Sequence, residues 1–387
     1  MVPGAVLARI LIGLGARWIK VEDPTAGDPM RALEPQVGGT GAGFAAFFGG
    51  AESVALDLRT SHGVERVQQL ARHADVLVES FRPGVLEAWG LAPEAMMENN
   101  HRLIFCSLPG FARPEPADRP RSGDPLADSP AYRTVGHDLD FTSLSGLLES
   151  LGMAPPPIAG EGGDRAWLPS VQLADVTAGI LASSAVLAAL LERSRTGRGR
   201  RVEQPLLSGA MAFMTWLFAD AAARSATEDV PMPSSKVTSR QEPAGTPTGL
   251  LAGRCPAYNV YRCADGLQLA VAAVEPKFWQ RFVALVGLPE LSAAGLDLGE
   301  AGVSARRVLA DRLGQAPRAH WLALTAGQDL PVSAVNSVEA ALADPALDPA
   351  SCLTIGPWHR QANAACPALG ADTERILREF SALPFSG

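Results

Sequence analysis

Residues 53–81, SVALDLRTSHGVERVQQLARHADVLVESF, decide the fold class. SVALDLR at 53–59 alternates as a strand does, GVERVQQLARHA at 63–74 has helical period, and DVLVESF at 75–81 returns to a strand. A strand, a helix and a second strand make a parallel pair, because the helix carries the chain back to the starting edge. The pattern extends both ways. Upstream, residues 5–14 carry a helix-like apolar pattern and ARWIKVED follows as a short strand; downstream, GVLEAWGLAPEAMMENN is helical and RLIFCSL at 102–108 is a strand. The first half is therefore α/β, a parallel sheet with helices on its faces. Ligands of such sheets bind beyond the carboxyl ends of the strands, so the loops after Glu22, Arg59, Phe81 and Leu108 are the first places for a site.

The second half changes character. DVTAGILASSAVLAALLER, from Asp175 to Arg193, is a nearly continuous apolar helix with Asp175 where an Asp can cap backbone N–H groups and Gly197 as its stop. Arg193, Arg195, Arg198, Arg200 and Arg201 resemble a phosphate patch, with favourable charge at a helix C-terminus as the blander account. Residues 220–256 are rich in Ser, Thr, Pro and Gly, the composition of a linker or flexible loop. YNVYRCADGLQLAVAAV at 258–274 gives two strands around an ADG turn, helices follow from about 276 to 325, and LPVSAVNS at 330–337 is a strand. The expected organisation is a large Rossmann-like domain at 1–210 to which 340–387 returns, a linker at 211–227, and a small α+β domain at 228–335. MAFMTW at 211–216 has the helical spacing of core residues and receives no binding role.

Composition excludes several classes. With 387 residues, 47% of them hydrophobic and 19% charged, the chain is a folding protein rather than a disordered one. A net charge of -8 gives no footprint for nucleic acid. The start, MVPGAVLARILIGLGARWIK, lacks a basic leader and is interrupted by Arg9 and glycines, which argues against a signal peptide or a membrane span and leads to an expected cytoplasmic location. The five cysteines are scattered and never spaced C-x-x-C, so neither a disulfide framework nor a metal site is expected.

GHDLDF at 136–141, at the end of the long Pro-rich stretch after Leu108, places His137, Asp138 and Asp140 together. Taken alone it reads as a polar loop, and Asp175 alone reads as a helix cap. The joint pattern reads differently. LGARWIKVEDPTAGDPMR, SVALDLR, ADVLVESFRPGVLEAWGL, RLIFCSLPGF, RTGRGRRV, YRCADG and PALGADTERIL, in this order to about residue 378, resemble the family III CoA-transferases, the group that also contains the α-methylacyl-CoA racemases. GHD followed by LSG resembles the racemase branch, where the transferase branch shows GYD and a nearby glutamine.

The resemblance implies two acid/base groups, His137 and Asp175, with Glu275 of AVEP matching the carboxylate that orients the histidine and Asp138 matching its acidic neighbour. It implies racemisation of 2-methyl-branched acyl-CoA thioesters; the alternative is CoA transfer through an aspartyl-CoA intermediate at Asp175, and a non-catalytic acyl-CoA-binding protein is a third possibility. No cofactor is implied, coenzyme A entering as part of the substrate. Arg59 and Arg82 at strand ends, with Arg31 and Lys20 behind them, are the candidates to meet it. An amide at the start of the Asp175 helix is expected to stabilise the enolate oxygen. The family's interlocked homodimer would bring Glu275 from the other protomer. Two departures stand out: family members usually begin with a further strand, without which an inner strand lacks a hydrogen-bond partner, and the stretch at 109–138 is longer than usual.

Overall fold

The computed structural model describes residues 2–112, 134–151, 168–227, 251–344 and 365–384. The long stretch ahead of His137 therefore lies largely outside the described residues, as does Cys352. The chain divides into two units, the first formed by Met1–Leu148, Leu168–Ser235 and Ala350–Gly387, the second by Glu149–Trp167 and Lys236–Pro349.

In the first unit α1 (Val2–Gly13) leads to β1 (Ile19–Glu22), a small hairpin of β2 (Gln36–Val37) and β3 (Thr40–Gly41), α2 (Ala42–Phe48) and β4 (Glu52–Ala55). Then come α3 (Ser61–His73), β5 (Val76–Glu79), α4 (Val85–Ala88), α5 (Pro93–Asn99) and β6 (Ile104–Ser107). The expected single helix over 84–100 is two, broken at Gly90. The short α6 (Asp138–Leu144) and α7 (Leu147–Ser150) precede the long α8 (Leu173–Thr196), β7 (Arg201–Glu203) and α9 (Leu206–Thr227), and α14 (Thr373–Ser381) closes the unit. The strands pair in parallel, as the strand–helix alternation requires, β1 with β4 and β5 with β6 with β7.

The expected single sheet is two sheets. Among the described residues no strand pairs with the second edge of β1 or of β5. The apolar Val76, Leu77 and Val78 of β5 are consequently only half-buried, whereas every residue of β6 is buried. Period-two alternation gives β6 its two faces: Cys106, with Leu108 just beyond the strand, packs with α1, α8 and α9, while Phe105, with Leu103 just before it, packs with α3, α5 and Ile376 of α14.

Residues 211–227, expected as a linker, are instead the body of α9. Leu206, Ala210 and Met214, spaced by four, bury one face of that helix against α8, so the polar composition further along did not govern this segment. The same geometry corrects the core reading of MAFMTW, since only Met214 is buried while Trp216 is 78% exposed. α8 lies against α1 and α9 at two glycines. A Cβ at Gly179 would meet the Pro3 carbonyl oxygen at 2.6 Å, and one at Gly209 the Ala174 carbonyl oxygen at 2.2 Å. α8 and α9 are long and apolar enough by composition to cross a bilayer, and each is partly buried within this unit. Gly197, in the left-handed region at φ 73°, ends α8 where the sequence placed the stop.

The second unit is an antiparallel sheet, β8 (Tyr258–Arg262), β9 (Gln268–Ala272) and β10 (Val332–Ala334) in the order β10-β9-β8, joined at the expected ADG turn. Helices α10 (Pro276–Leu285), α11 (Glu300–Leu313) and α12 (Arg318–Thr325) cover it around Trp279, Phe282 and Trp321, and α13 (Val338–Leu342) follows β10.

Candidate active site

The three polar residues of GHDLDF have separate tasks. Asp140 accepts the His137 backbone N–H at 2.8 Å, which fixes the start of α6 and leaves His137 at its N-cap with an exposed side chain. Asp138 reaches a different helix: its Oδ1 accepts the backbone N–H of Asp175 at 3.0 Å. One carboxylate thus joins the start of α6 to the start of α8.

That bond brings His137, Asp138 and Asp175 into one place, and it corrects two expectations. Asp175 is the third residue of α8, Gln172 being the N-cap, so its side chain does not cap the helix. Its amide, expected as an oxyanion donor, is engaged by Asp138.

The Asp175 carboxyl is free for other work. The residue is 7% exposed, and its Oδ1 is buried without a hydrogen-bond partner among the described residues. Its pKa is pushed up to about 6, first by burial and then by the negative charge of Asp138, against smaller opposing effects of the chain's amino terminus and His137. A carboxyl that titrates there exchanges a proton near neutral pH in either direction. Buried, unpaired polar atoms are uncommon in structural positions, because each costs about 1–3 kcal/mol.

Glu275 belongs to the second unit, where it is the exposed N-cap of α10 and its side chain makes no capping bond. The four basic candidates separate. Arg31 forms a two-toothed pair with Glu22 at 2.8 Å through both nitrogens, donates to the Pro367 carbonyl and lies 3.9 Å from the Phe44 ring centre. Lys20 pairs with Asp28 at 2.7 Å and sits over Phe48. Both are held inside the protein, binding β1 to the segment after it. Arg59 is exposed and paired with Asp57 at 2.7 Å and Asp23 at 3.5 Å. Arg82 is exposed, has no polar partner among the described residues, and lines a cleft beyond the carboxyl ends of β5 and β6, where parallel sheets place ligands. Two more residues line this cleft: Glu79, which the sequence reading passed over, and Arg201, which it read as charge at a helix C-terminus but which begins β7. Glu79 had a visible signal, a carboxylate ending an apolar strand. Among the described residues, no group of three His, Cys, Asp or Glu side chains is arranged to hold a metal ion.

The sequence matches the model of CoA-transferase family III over residues 1–374. It is 28% identical to the alpha-methylacyl-CoA racemase of Mus musculus, over 98% of this chain and 90% of the relative. It is 27% identical to the succinyl-CoA:glutarate CoA-transferase of Mus musculus, over 86% of this chain and 71% of the relative. A crystal structure of a CAIB/BAIF family protein from Brucella suis superposes with a TM-score of 0.71 at 24% identity, covering 97% and 95% of the two chains. The mixed α/β fold with parallel sheets is that of these structures.

Proposed function

The chain belongs to CoA-transferase family III, an enzyme superfamily of CoA-transferases and racemases, and from that premise we propose that it racemises 2-methyl-branched acyl-CoA thioesters by moving the α-proton between His137 and Asp175. The observation that carries this reading is the Asp175 carboxyl: buried, unpartnered at Oδ1 and titrating at about 6 beside the loop that bears His137.

The α-proton of a thioester is a very weak acid, so inversion needs a base on one face of the carbon and a proton donor on the other. Neutral His137 takes the proton from C2, the C–H electron pair moves into the enolate, and protonated Asp175 delivers a proton to the opposite face. The products are the inverted thioester, an imidazolium and a carboxylate; the reverse turn uses the same pair with the roles exchanged. Asp138 holds the two groups in register, and its charge adds to the burial that raises the Asp175 pKa toward neutrality. Coenzyme A enters with the substrate and no further cofactor takes part. Arg82 meets its anionic part, and Arg59 does so by exchanging its carboxylate partners for phosphate. Glu275 orients His137 across the interface of a homodimer, and the enzyme works in the cytoplasm.

The transferase relative supports a second reading in which the same free Oδ1 attacks an acyl-CoA carbonyl and expels CoA thiolate to give an acyl-aspartyl anhydride, whose aspartyl carbonyl the thiolate then attacks, releasing the carboxylate and leaving an aspartyl-CoA thioester. Proton NMR of 2-methylacyl-CoA in deuterated water separates the readings. Wash-in of deuterium with inversion, lost in His137→Ala and Asp175→Ala, is the racemase outcome. No wash-in, with CoA passing to an added free acid and hydroxylamine labelling Asp175, would replace it with transfer.

A further inference from the structure

Glu79 is the last residue of β5 and stands in register opposite Ser107, the last of β6, at the sheet's carboxyl edge. Its Oε2 accepts the Phe81 N–H at 2.8 Å, its carbonyl accepts the Leu108 N–H at 3.0 Å, and the Ser107 hydroxyl bonds its side chain. Arg82 follows at once, and its own carbonyl accepts the Val85 N–H at 3.1 Å, closing the turn that starts α4. Phe81 packs edge-on to Trp89 with ring centres 5.2 Å apart. The turn is thus pinned at its exit by α4 and at its entry by one carboxyl, while the Arg82 side chain stays free at the mouth of the cleft.

The far wall of the same cleft holds Arg201. One of its terminal nitrogens donates to Glu94 at 2.9 Å, and its Nε is buried without a partner among the described residues. Glu79 therefore lies in one cleft with two guanidinium groups, and the carboxylate of Glu87 lines it as well. Burial raises the Glu79 pKa; the Ser107 and Phe81 hydrogen bonds and Arg201 oppose the rise, and Glu87 adds to it.

We propose that Glu79 is a positioning residue for the thioester's coenzyme A: by fixing the Phe81 amide it sets the turn that presents Arg82 to the anionic part of the ligand. Glu79 does not touch the reacting atoms. It acts through Arg82, and the inference rests on the proposed place of Arg82 in coenzyme A binding.

Coenzyme A binding to the full-length protein, read by calorimetry, tests this without depending on turnover. Arg82→Ala is expected to weaken binding about tenfold, as the loss of a charge-assisted hydrogen bond does. Glu79→Ala is expected to weaken it by a similar factor, Glu79→Gln to restore most of the loss because an amide oxygen still accepts the Phe81 N–H, and the Glu79→Ala/Arg82→Ala double variant to bind no worse than either single variant. In turnover, both single variants should raise KM with kcat nearly unchanged. Thermal melts of all the variants show whether each is folded, and Glu79→Leu, which fills the space but accepts no hydrogen bond, carries the test if Glu79→Ala is not folded. If Arg82→Ala weakens binding and the folded Glu79→Ala or Glu79→Leu does not, or if the two effects add in full, the inference about Glu79 is overturned. If Arg82→Ala binds normally, the place of Arg82 fails and takes the inference with it, while deuterium wash-in still decides the proton-transfer reading.

Discussion

Glu22 and Asp175 are both carboxylates at the edge of full burial, 5% and 7% exposed, and the fold treats them in opposite ways. Glu22 ends β1 with every lone pair answered. Arg31 binds it through two nitrogens, the Ser53 hydroxyl donates at 2.7 Å and the Asp28 N–H at 3.0 Å. Burial alone would raise its pKa, yet these partners together hold it below the ordinary carboxylate range. Asp175 has a buried oxygen with no partner among the described residues and a second carboxylate, Asp138, as its neighbour. Its pKa is pushed up to about 6. Pairing makes a buried acid structural, and withholding the partner keeps it reactive.

The contrast is broken most directly at Asp175. Asp175→Asn removes the proton-transferring group and is expected to lower α-proton exchange by about 10²–10⁴-fold. The same variant should raise stability at pH 7 by about 1–3 kcal/mol, because the parent must ionise a buried acid there. Glu22→Gln should do the reverse. Exchange per folded molecule persists, while stability falls by about 3–5 kcal/mol because the enclosed Arg31 guanidinium loses its counter-charge. Urea unfolding alongside NMR exchange reads both variants, and an Asp175→Asn protein that is active, or a Glu22→Gln protein as stable as its parent, breaks the comparison.

Stability against pH sharpens it, since the two signs differ. The folded pKa of Asp175 lies above its unfolded value of about 4, so its contribution is complete below that pH and is lost as pH rises through about 6. Glu22 contributes above its unfolded value of about 4 and loses that contribution as pH falls through its depressed folded pKa. Melting curves across pH should therefore lose the decline on raising pH from about 4 to about 6 in Asp175→Asn, and the decline on lowering pH below about 4 in Glu22→Gln.

A smaller effect is expected at Gly209, where α9 approaches the turn that carries Asp175. Gly209→Ala places a Cβ where the Ala174 carbonyl oxygen now sits and should cost about 1–3 kcal/mol in overpacking, with a drop in exchange because Asp175 is the next residue. Unchanged melting and exchange would show that the close approach is not needed.

The smallest effect separates the hydrogen bond of Asp138 from its charge. Asp138→Asn keeps an acceptor for the Asp175 N–H and removes the repulsion that helps raise the Asp175 pKa. In the direction in which Asp175 removes the proton, kcat/KM should rise with pH through about 6 in the parent and at lower pH in this variant. Asp138→Ala loses the bond as well and should cost about 1 kcal/mol of stability. A limb that stays in place in Asp138→Asn assigns the whole shift to burial.

Much of this was legible in the chain. The alternation of SVALDLR, GVERVQQLARHA and DVLVESF reported the parallel α/β unit because period two and period 3.6 are local properties of a backbone with one buried face. The hairpin at 258–274 and the glycine stop at 197 were legible for the same reason, since turn geometry is written in the residues that make it. His137, Asp138 and Asp175 were nameable only through the resemblance, since no local pattern joins positions 137 and 175. The linker expected at 211–227 failed because Leu206, Ala210 and Met214 bury against a helix whose position composition does not report. Arg31 and Lys20 stayed on the sequence's list, behind Arg59 and Arg82, because the Glu22 and Asp28 that engage them are separated from them along the chain.

The sequence by itself determined most of the strands and helices and the alternation that makes the sheets parallel, and through the resemblance it named the groups available for proton transfer. Tertiary structure decided what each group is able to do. Charge, hydrogen bonding and burial at a carboxyl depend on atoms brought near it from other elements: Arg31, Ser53 and Asp28 around Glu22, Asp138 and His137 near Asp175. Those neighbours, and the water they exclude, set whether the carboxyl is held ionised or keeps its proton.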